Sequence, residues 1–408
     1  MAKNNAKNNF IAKITTLFSA AILTGGLFLS VPTPVGANEQ TPIRIGLDAD
    51  MSSASAESGE AIRRGMVVAV DEINEKGGIN GRKLEIVVRD HRGNPARGID
   101  NINEFSADKS IVAVMGGLHT PVAMAELEAI HKNDMLYLVP WAAGTMVVDN
   151  GFSPNNVFRV SVRDQYAGRF LTKMAASKGY KKLGLLLEQT GWGRSNEKAI
   201  SEAAREIGVE ISGVEWISWG AKNAEAQIGN LTKKGADVIM LVANANEGAV
   251  VLAGVANMDK TNRLAIISHW GITGGRFTEL VGSDIDKVNL SFLQTYSFVV
   301  PTRPEKEKDF FARYQKLFPE ITKAEQILSP VGTAHAYDLV HLLNQAIINA
   351  GSLETAKIRV ALENIKQYDG LVKTYNPPFT SNRHDALDES SFTLAKFLND
   401  GSIVPTAD

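Results

Sequence analysis

Apolar residues along the chain recur at two spacings, one typical of strands and the other typical of helices. Ile43, Ile45 and Leu47 occupy alternate positions and predict a strand, whereas 62–73 has helical spacing and predicts a helix that ends before Gly77. The same patterns predict, in order, strand 84–88, helix 95–107, strand 111–115, helix 121–132 and strand 136–139. This order indicates a mainly parallel sheet with helices on both faces.

The alternation begins again further along the chain and predicts a second lobe of similar plan. Its predicted elements are helix 166–178, strand 183–187, helix 195–207, strand 209–216, helix 223–234, strand 238–242, helix 247–257 and strand 264–267. Two more helices are expected at 326–350 and 353–365. Because no low-complexity linker separates the halves, we expect an α/β protein with two doubly wound parallel-sheet lobes, between which the chain crosses.

The amino-terminal segment does not follow this alternation and is typical of an export signal. Residues 1–13 carry three lysines and no acidic residue, 14–31 are mostly apolar, and the tripeptide Val-Gly-Ala at 35–37 supplies small residues for cleavage. A membrane anchor is the alternative, which polar residues within 14–31 disfavour. We therefore expect residues 1–37 to be a cleaved signal peptide and the mature protein to be periplasmic.

Composition restricts the functions that remain. Without residues 1–37, 371 residues are left, more than one hydrophobic core usually spans. They include 40 basic and 45 acidic side chains, which gives no reason to expect nucleic acid or an anionic membrane as a partner. The sequence has no cysteine, which excludes disulfides, thiolate metal sites and cysteine nucleophiles.

The chain also lacks the short motifs of common enzyme classes. It has no phosphate-binding loop, no Gly-x-Ser-x-Gly turn and no His-Glu-x-x-His pair, and its seven histidines have no metal-ligand spacing. The stretch 191–193 resembles part of a dinucleotide-binding loop, but Asn196 stands at its third glycine position. We therefore expect no catalysis, no metal and no cofactor; an exported α/β enzyme is the alternative that these absences disfavour.

The strongest candidate for a binding loop is 116–121, Gly-Gly-Leu-His-Thr-Pro, directly after a predicted strand. In open α/β sheets, ligands lie beyond the carboxyl ends of strands, and glycines let the backbone approach them closely. Thr120 suits the N-cap of the next helix and Pro121 suits its first position. The N–H groups and dipole at that end favour a carboxylate or phosphate, and a capped helix without a ligand is the alternative.

Three of the five tryptophans fall in other loops at predicted strand ends. Trp141 lies in 140–145, Trp192 in 188–193 and Trp270 in 268–271. In polar, glycine-rich loops, an aromatic side chain is less easily explained as core, so we expect these three to be pocket walls, with packing as the alternative. Trp216 and Trp219 are expected to be structural.

These loops stand within a longer resemblance. The segment Ala69–Leu84 (AVDEINEKGGINGRKL), followed by Arg89-Asp90, resembles the first helix, turn and second strand of periplasmic type I binding proteins of the leucine/isoleucine/valine type. Tyr166, Gly168 and the pair at 369–370 continue the similarity, which covers essentially the whole chain after residue 37. The Asn-x-x-Gly-Gly-Ile-x-Gly stretch is specific for this superfamily, which also includes receptor and regulator ectodomains.

The resemblance implies an architecture and a mode of action. Three crossovers are expected near Arg159, Ser297 and Asp369, which assigns 42–160 plus 297–368 to lobe 1 and 161–296 plus 369–405 to lobe 2. It also implies a monomer that holds a small molecule between lobes closing about a hinge, and that docks to an ABC transporter permease in the inner membrane. A ligand-sensing subunit of a signalling receptor is the alternative.

The family's ligand contacts fall on the loops identified above. In amino-acid binders, the loops matching Thr120, Ala142 and Ala143 hold the ligand's carboxylate and ammonium, and an aromatic residue matching Trp192 closes from the other lobe. The full set of expected ligand-binding residues is His119, Thr120, Trp141, Ala142, Ala143, Tyr166, Trp192, Asn244 and Trp270.

Two departures from the family pattern leave the ligand open. Pro121 has no N–H to offer in the carboxylate loop, and the tripeptide His-Trp-Gly at 269–271 stands where amino-acid binders often place an acidic residue. Glu188, Glu247 and Asp164 stay as alternative partners for an ammonium group. We expect an amino acid of the branched-chain type or a related small carboxylate, with an aromatic or other carboxylic acid lacking an α-ammonium as the alternative.

Overall fold

The computed structural model describes residues 41–327, 329–398 and 400–406. The expected signal peptide, residues 1–37, lies outside the described residues. Within the described ranges, no helix is both long and apolar enough to cross a bilayer.

The first part of the chain forms a five-stranded sheet in which every described pairing is parallel. Its order is β2-β1-β3-β4-β5. The elements are β1 (Ile43–Ala49), α1 (Ala56–Glu75), β2 (Leu84–Asp90), α2 (Pro95–Ala107), β3 (Ile111–Met115), α3 (Thr120–Lys132), β4 (Leu136–Val139), α4 (Thr145–Val148) and β5 (Val157–Arg159). Strand β3 is apolar and buried at all five positions, as expected of a central parallel strand covered on both faces.

The next part of the chain builds the second lobe by the same alternation. Its elements are α5 (Asp164–Ser177), β6 (Lys182–Glu188), α6 (Gly191–Ile207), β7 (Glu210–Ile217), α7 (Glu225–Lys233), β8 (Val238–Val242), α8 (Ala245–Ala256), β9 (Ala265–Ser268), α9 (Phe277–Val281) and β10 (Leu290–Gln294). The described pairings among these strands are all parallel. The two-lobed α/β class predicted from the sequence is therefore confirmed.

The chain then returns to the first lobe and finishes in the second. The remaining elements are α10 (Pro304–Leu317), α11 (Pro330–Ala350), α12 (Thr355–Glu363), the hairpin β11 (Tyr368–Asp369) and β12 (Thr374–Tyr375), β13 (Thr393–Phe397) and β14 (Ile403–Pro405). Helix α11 packs along α1. Strand β13 pairs antiparallel with β10, and β14 pairs antiparallel with β13, which gives the second sheet the order β14-β13-β10-β9-β8-β6-β7.

The chain passes between the lobes three times. The first two passages are 160–163, after β5 of the first sheet, and 295–303, after β10 of the second sheet. Before the third, the backbone of Arg159 donates to the carbonyl of His384 (2.8 Å) and accepts the N–H of Ala386 (2.9 Å). The chain therefore stays beside β5 up to that point, and the third passage is 387–392.

Candidate ligand-binding cleft

A cavity with an empty volume of about 300 Å3 lies where loops of the two lobes meet. The first lobe lines it from the ends of β3 and β4, with Leu118, His119, Thr120, Pro121, Trp141, Ala142 and Ala143. The second lobe lines it from the ends of its own strands, with Glu188, Thr190, Trp192, Trp219, Asn244 and Trp270. We call this the inner cavity.

The loop between β3 and α3 is shaped by glycines and ends at a helix amino terminus. Gly117 has φ +67°, and a Cβ on Gly116 would lie 2.5 Å from the ring of Tyr137, so neither position accepts a larger residue without strain. Helix α3 starts one residue earlier than expected: His119 is its N-cap, without a capping side-chain bond, and Thr120 is its first residue. The N–H groups of the first turn and the helix dipole there suit an anionic group.

The hydroxyl group of Thr120 is positioned to donate a hydrogen bond to a ligand. Its Oγ1 accepts the N–H of Gly144 at 3.2 Å, which leaves the hydroxyl proton available to a ligand. A Cβ on Gly144 would collide with the methyl group of Thr120, so a glycine is needed for this approach.

A fully buried arginine fixes the neighbouring loop 142–144 through hydrogen bonds to its backbone. Arg159 donates to the carbonyls of Ala142 (3.1 Å) and Gly144 (2.9 Å) and pairs with Asp385 at 2.6 Å. The carbonyl of Ala143 accepts the N–H of Asp164 at 2.8 Å. The protein therefore already engages the carbonyls of all three loop residues.

Three buried indoles form the apolar walls. The rings of Trp141 and Trp270 lie 5.8 Å apart, and Trp192 meets the ring of His269 edge to face at 5.0 Å. A Cβ on Gly271 would lie 2.5 Å from Cη2 of Trp192, so the indole rests directly on the backbone of that loop. These walls can cover a flat or branched apolar body.

His269 itself is fully buried behind the walls rather than in the cavity lining. Its Nδ1 accepts the N–H of Trp270 at 2.9 Å, and its Nε2 lies 3.3 Å from Oδ1 of Asp164. The same oxygen accepts Nε1–H of Trp192 at 3.2 Å. Asp164 therefore supports both Trp192 and the loop that carries Trp270.

The carboxylate of Glu188 lines the cavity, and both of its oxygens already accept hydrogen bonds from other residues of the protein. Its Oε1 accepts the backbone N–H of Asn244 at 2.6 Å, and its Oε2 accepts Nδ2 of Asn244 (3.2 Å) and Nε1 of Trp219 (2.6 Å). Burial raises the pKa of Glu188 to about 7 against these hydrogen bonds, which lower it. Asn244 thus lines the cavity with its side chain turned to Glu188.

His119 offers a polar atom for a ligand. Its Nε2 lies 3.0 Å from Oγ of Ser55, whereas its buried Nδ1 has no hydrogen-bond partner within the part of the chain that the structure describes. Burial lowers the pKa of His119 to about 4, so the ring is neutral near pH 7. An unsatisfied buried nitrogen is costly, and a ligand group can satisfy it.

The structure brings together all the expected binding residues except Tyr166. Tyr166 lies on α5 outside the lining, with the guanidinium of Arg163 5.6 Å from its ring centre.

Trp219 is expected to be structural, but its indole lines the cavity at its mouth. Glu188 and Thr190, in the same loop as Trp192, also line it, which their position after a strand could have indicated. No group of three metal-binding side chains suited to an ion occurs among the described residues.

Comparison with known families agrees with this architecture. A family model described as "Periplasmic binding protein" matches residues 42–399. Among curated relatives, Leu/Ile/Val-binding protein homolog 1 of Brucella abortus (strain 2308) is 24% identical over 353 residues, which is 85% of this chain and 88% of the relative. Homolog 2 of the same strain is 26% identical over 263 residues, 64% of this chain and 69% of the relative.

Solved structures show the same fold at low sequence identity. A periplasmic binding protein type 1 from Bordetella pertussis Tohama I has a TM-score of 0.81 at 22% identity, over 90% of this chain and all of that one. LivJ from Streptococcus pneumoniae, in complex with isoleucine, has a TM-score of 0.73 at 21% identity, over 89% and 97% of the two chains. A solute-binding protein from R. palustris, in complex with 4-hydroxybenzoate, has a TM-score of 0.74 at 19% identity, over 90% and 96%.

Proposed function

Because this chain belongs to the periplasmic binding protein family, we propose that it captures a small organic carboxylate between its lobes and delivers it to an ABC importer. The mature protein acts in the periplasm as a monomer, docks to a permease in the inner membrane, and performs no catalysis. The family assignment supports the transport role, whereas the ligand class is argued from the cavity.

The observation that carries the ligand class is a donor-rich loop facing buried indoles. The α3 amino terminus and the hydroxyl of Thr120 suit a carboxylate, while Trp141, Trp192 and Trp270 suit an apolar body. The donor groups and the indoles line the same cavity, which therefore suits a ligand with one anionic end and one apolar end.

The hydrogen bonds that Glu188 already accepts in the cavity lining favour a ligand without an α-ammonium. Glu188 accepts three hydrogen bonds from the protein, and Oε1 of Glu247 accepts the N–H of Gly220 at 2.8 Å. An ammonium group would have to displace protein donors to pair with Glu188, at the expense of leaving those donors unsatisfied. We therefore favour an aromatic or branched carboxylic acid.

A branched-chain amino acid is the second candidate. The relatives described as Leu/Ile/Val-binding favour it, as does one atom behind the cavity wall: the buried Oδ2 of Asp164, whose Oδ1 accepts the N–H of Trp192, lacks a hydrogen-bond partner within the described ranges. An ammonium that reached this oxygen would satisfy it.

Calorimetry on the mature chain tests the choice, with benzoate, 4-hydroxybenzoate and isoleucine as probes. We expect a carboxylate without an ammonium to bind more tightly than isoleucine, and Thr120→Val to weaken it. Preferential binding of isoleucine would establish the second candidate. Binding of none of the three would contradict the proposed ligand class.

A further inference from the structure

Trp219 stands between the inner cavity and a second cavity outside it. The outer cavity has an empty volume of about 640 Å3 and shares His119, Trp219 and Asn244 with the inner one, while Gly93 and Asn246 border only the outer one. Trp219 is 43% exposed, whereas Trp141, Trp192 and Trp270 are buried. It is therefore the aromatic residue that solvent meets first on the way into the inner cavity.

Hydrogen bonds within the second lobe fix the position of Trp219. Its Nε1 donates to the buried carboxylate of Glu188 at 2.6 Å, and the next residue, Gly220, donates its N–H to Glu247 at 2.8 Å. Gly220 has φ +77°, a left-handed conformation that lets the chain turn directly after the indole. The side chain is thus fixed in direction although it is partly exposed.

The indole of Trp219 contacts two residues of the first lobe. Its ring centre lies 5.5 Å from that of His119, and its Cζ3 lies 3.8 Å from where a Cβ on Gly93 would stand. The loops at 93 and 119 belong to the first lobe, so these contacts exist only while the lobes are close together.

We propose that Trp219 is the lid of the inner cavity. Carried by one lobe, it seals against His119 and Gly93 of the other lobe, separates the inner cavity from the outer one, and slows the release of a ligand held behind it. The inference rests on the proposed function, and it adds a residue that controls the release of the ligand.

The lid can be tested without a ligand in a variant with its lobes fixed. Ser58 and Gly274 face each other across the cleft, since Oγ of Ser58 would lie 2.6 Å from a Cβ on Gly274, and the chain has no other cysteine to interfere with a Ser58→Cys/Gly274→Cys disulfide. In this oxidised background we expect Trp219→Ala to increase acrylamide quenching of the remaining indoles. Trp216→Ala, which removes an indole outside the cavity lining, should not increase it.

A second measurement uses benzoate, 4-hydroxybenzoate and isoleucine in the uncrosslinked protein. For each probe that binds, Trp219→Ala should accelerate dissociation about tenfold, whereas Trp219→Phe, which keeps a ring, should change it less and Trp216→Ala hardly at all. Unchanged quenching together with unchanged dissociation would overturn the lid. If none of the probes binds to the wild type, the proposed ligand class fails, and the quenching result alone decides whether Trp219 is a lid.

Discussion

Asp164 accepts the indole N–H of Trp192 at 3.2 Å, and its backbone N–H donates to Ala143 at 2.8 Å. Asp164 begins α5 directly after the first passage between the lobes. One buried residue therefore joins the interlobe passage, a cleft loop of the first lobe and an aromatic wall of the second.

Replacing Asp164 should loosen the aromatic walls. Asp164→Ala leaves the buried N–H of Trp192 without its acceptor, at about 1–3 kcal/mol, and removes the carboxylate that lies 3.3 Å from Nε2 of His269. We expect a lower urea midpoint and a red-shifted tryptophan emission. Asp164→Asn keeps one oxygen acceptor and should have a smaller effect, and Asp149→Ala, whose ion pair with Arg163 is at the surface, serves as control. Equal stability of the Ala and Asn variants would contradict this role.

Glu188 should make the protein less stable as the pH rises. The folded protein keeps the proton up to about pH 7, whereas the unfolded chain loses it near the ordinary value of 4.5, so the folded state binds more protons between these values. The free energy of unfolding should therefore fall by up to about 3 kcal/mol from pH 4.5 to 7 on account of this group. Urea denaturation of the wild type and of Glu188→Gln should converge at low pH, and parallel curves would refute the assignment.

The pH dependence of affinity should distinguish the two candidate ligand classes. An anion bound near Glu188 raises the pKa of its carboxyl further, so the affinity for benzoate should decrease as the pH rises through about 7. An ammonium placed there would lower that pKa, and the affinity for isoleucine would increase over the same range. Calorimetry at pH 6 and pH 8 measures the sign, and Glu188→Gln should remove either dependence.

The sequence predicts the elements whose apolar spacing is regular. Strand β3 and helices α2 and α3 lie within one residue of their expected positions, because each buries a complete face or is buried entirely. Helix α10 was not expected, since its first turns are dominated by charged residues and expose most of their surface. Strand β5 has only three residues, too few for a period to be recognised.

Binding residues could be predicted from the sequence where a single loop places them. They could not be predicted where contacts between residues far apart in the chain place them. Trp192 follows a predicted strand in a glycine-rich loop, so its place in the wall could be expected. The lining position of Trp219 depends on Gly93 and His119, which lie far away in the chain. The third passage depends on the pairing of Arg159 with Asp385, 226 residues later, which no local pattern indicates.

Fixing the lobes together should block ligand entry. Ser58 donates a hydrogen bond to the carbonyl of Gly274, and Gly274 has φ −91°, so a cysteine fits there without backbone strain. The oxidised Ser58→Cys/Gly274→Cys protein should bind probes much more slowly than its reduced form, because an open state is required for entry. Stopped-flow fluorescence measures the association rate. Ser58→Cys alone is the control, and equal rates for the oxidised and reduced forms would show that the cleft admits ligands without opening.

The two sides of the cavity should divide the recognition of a ligand between them. Thr120→Val removes a hydroxyl that can donate to a carboxylate and should weaken every carboxylate probe by about 1–3 kcal/mol, while Thr120→Ser keeps the donor and serves as control. Trp192→Ala removes apolar wall, and its cost should grow with the size of the apolar group, up to a few kcal/mol. Calorimetry with acetate, benzoate and 4-hydroxybenzoate separates the two patterns. If both variants bind all three probes as the wild type does, then Thr120 and Trp192 contribute only to the packing of the closed lobes.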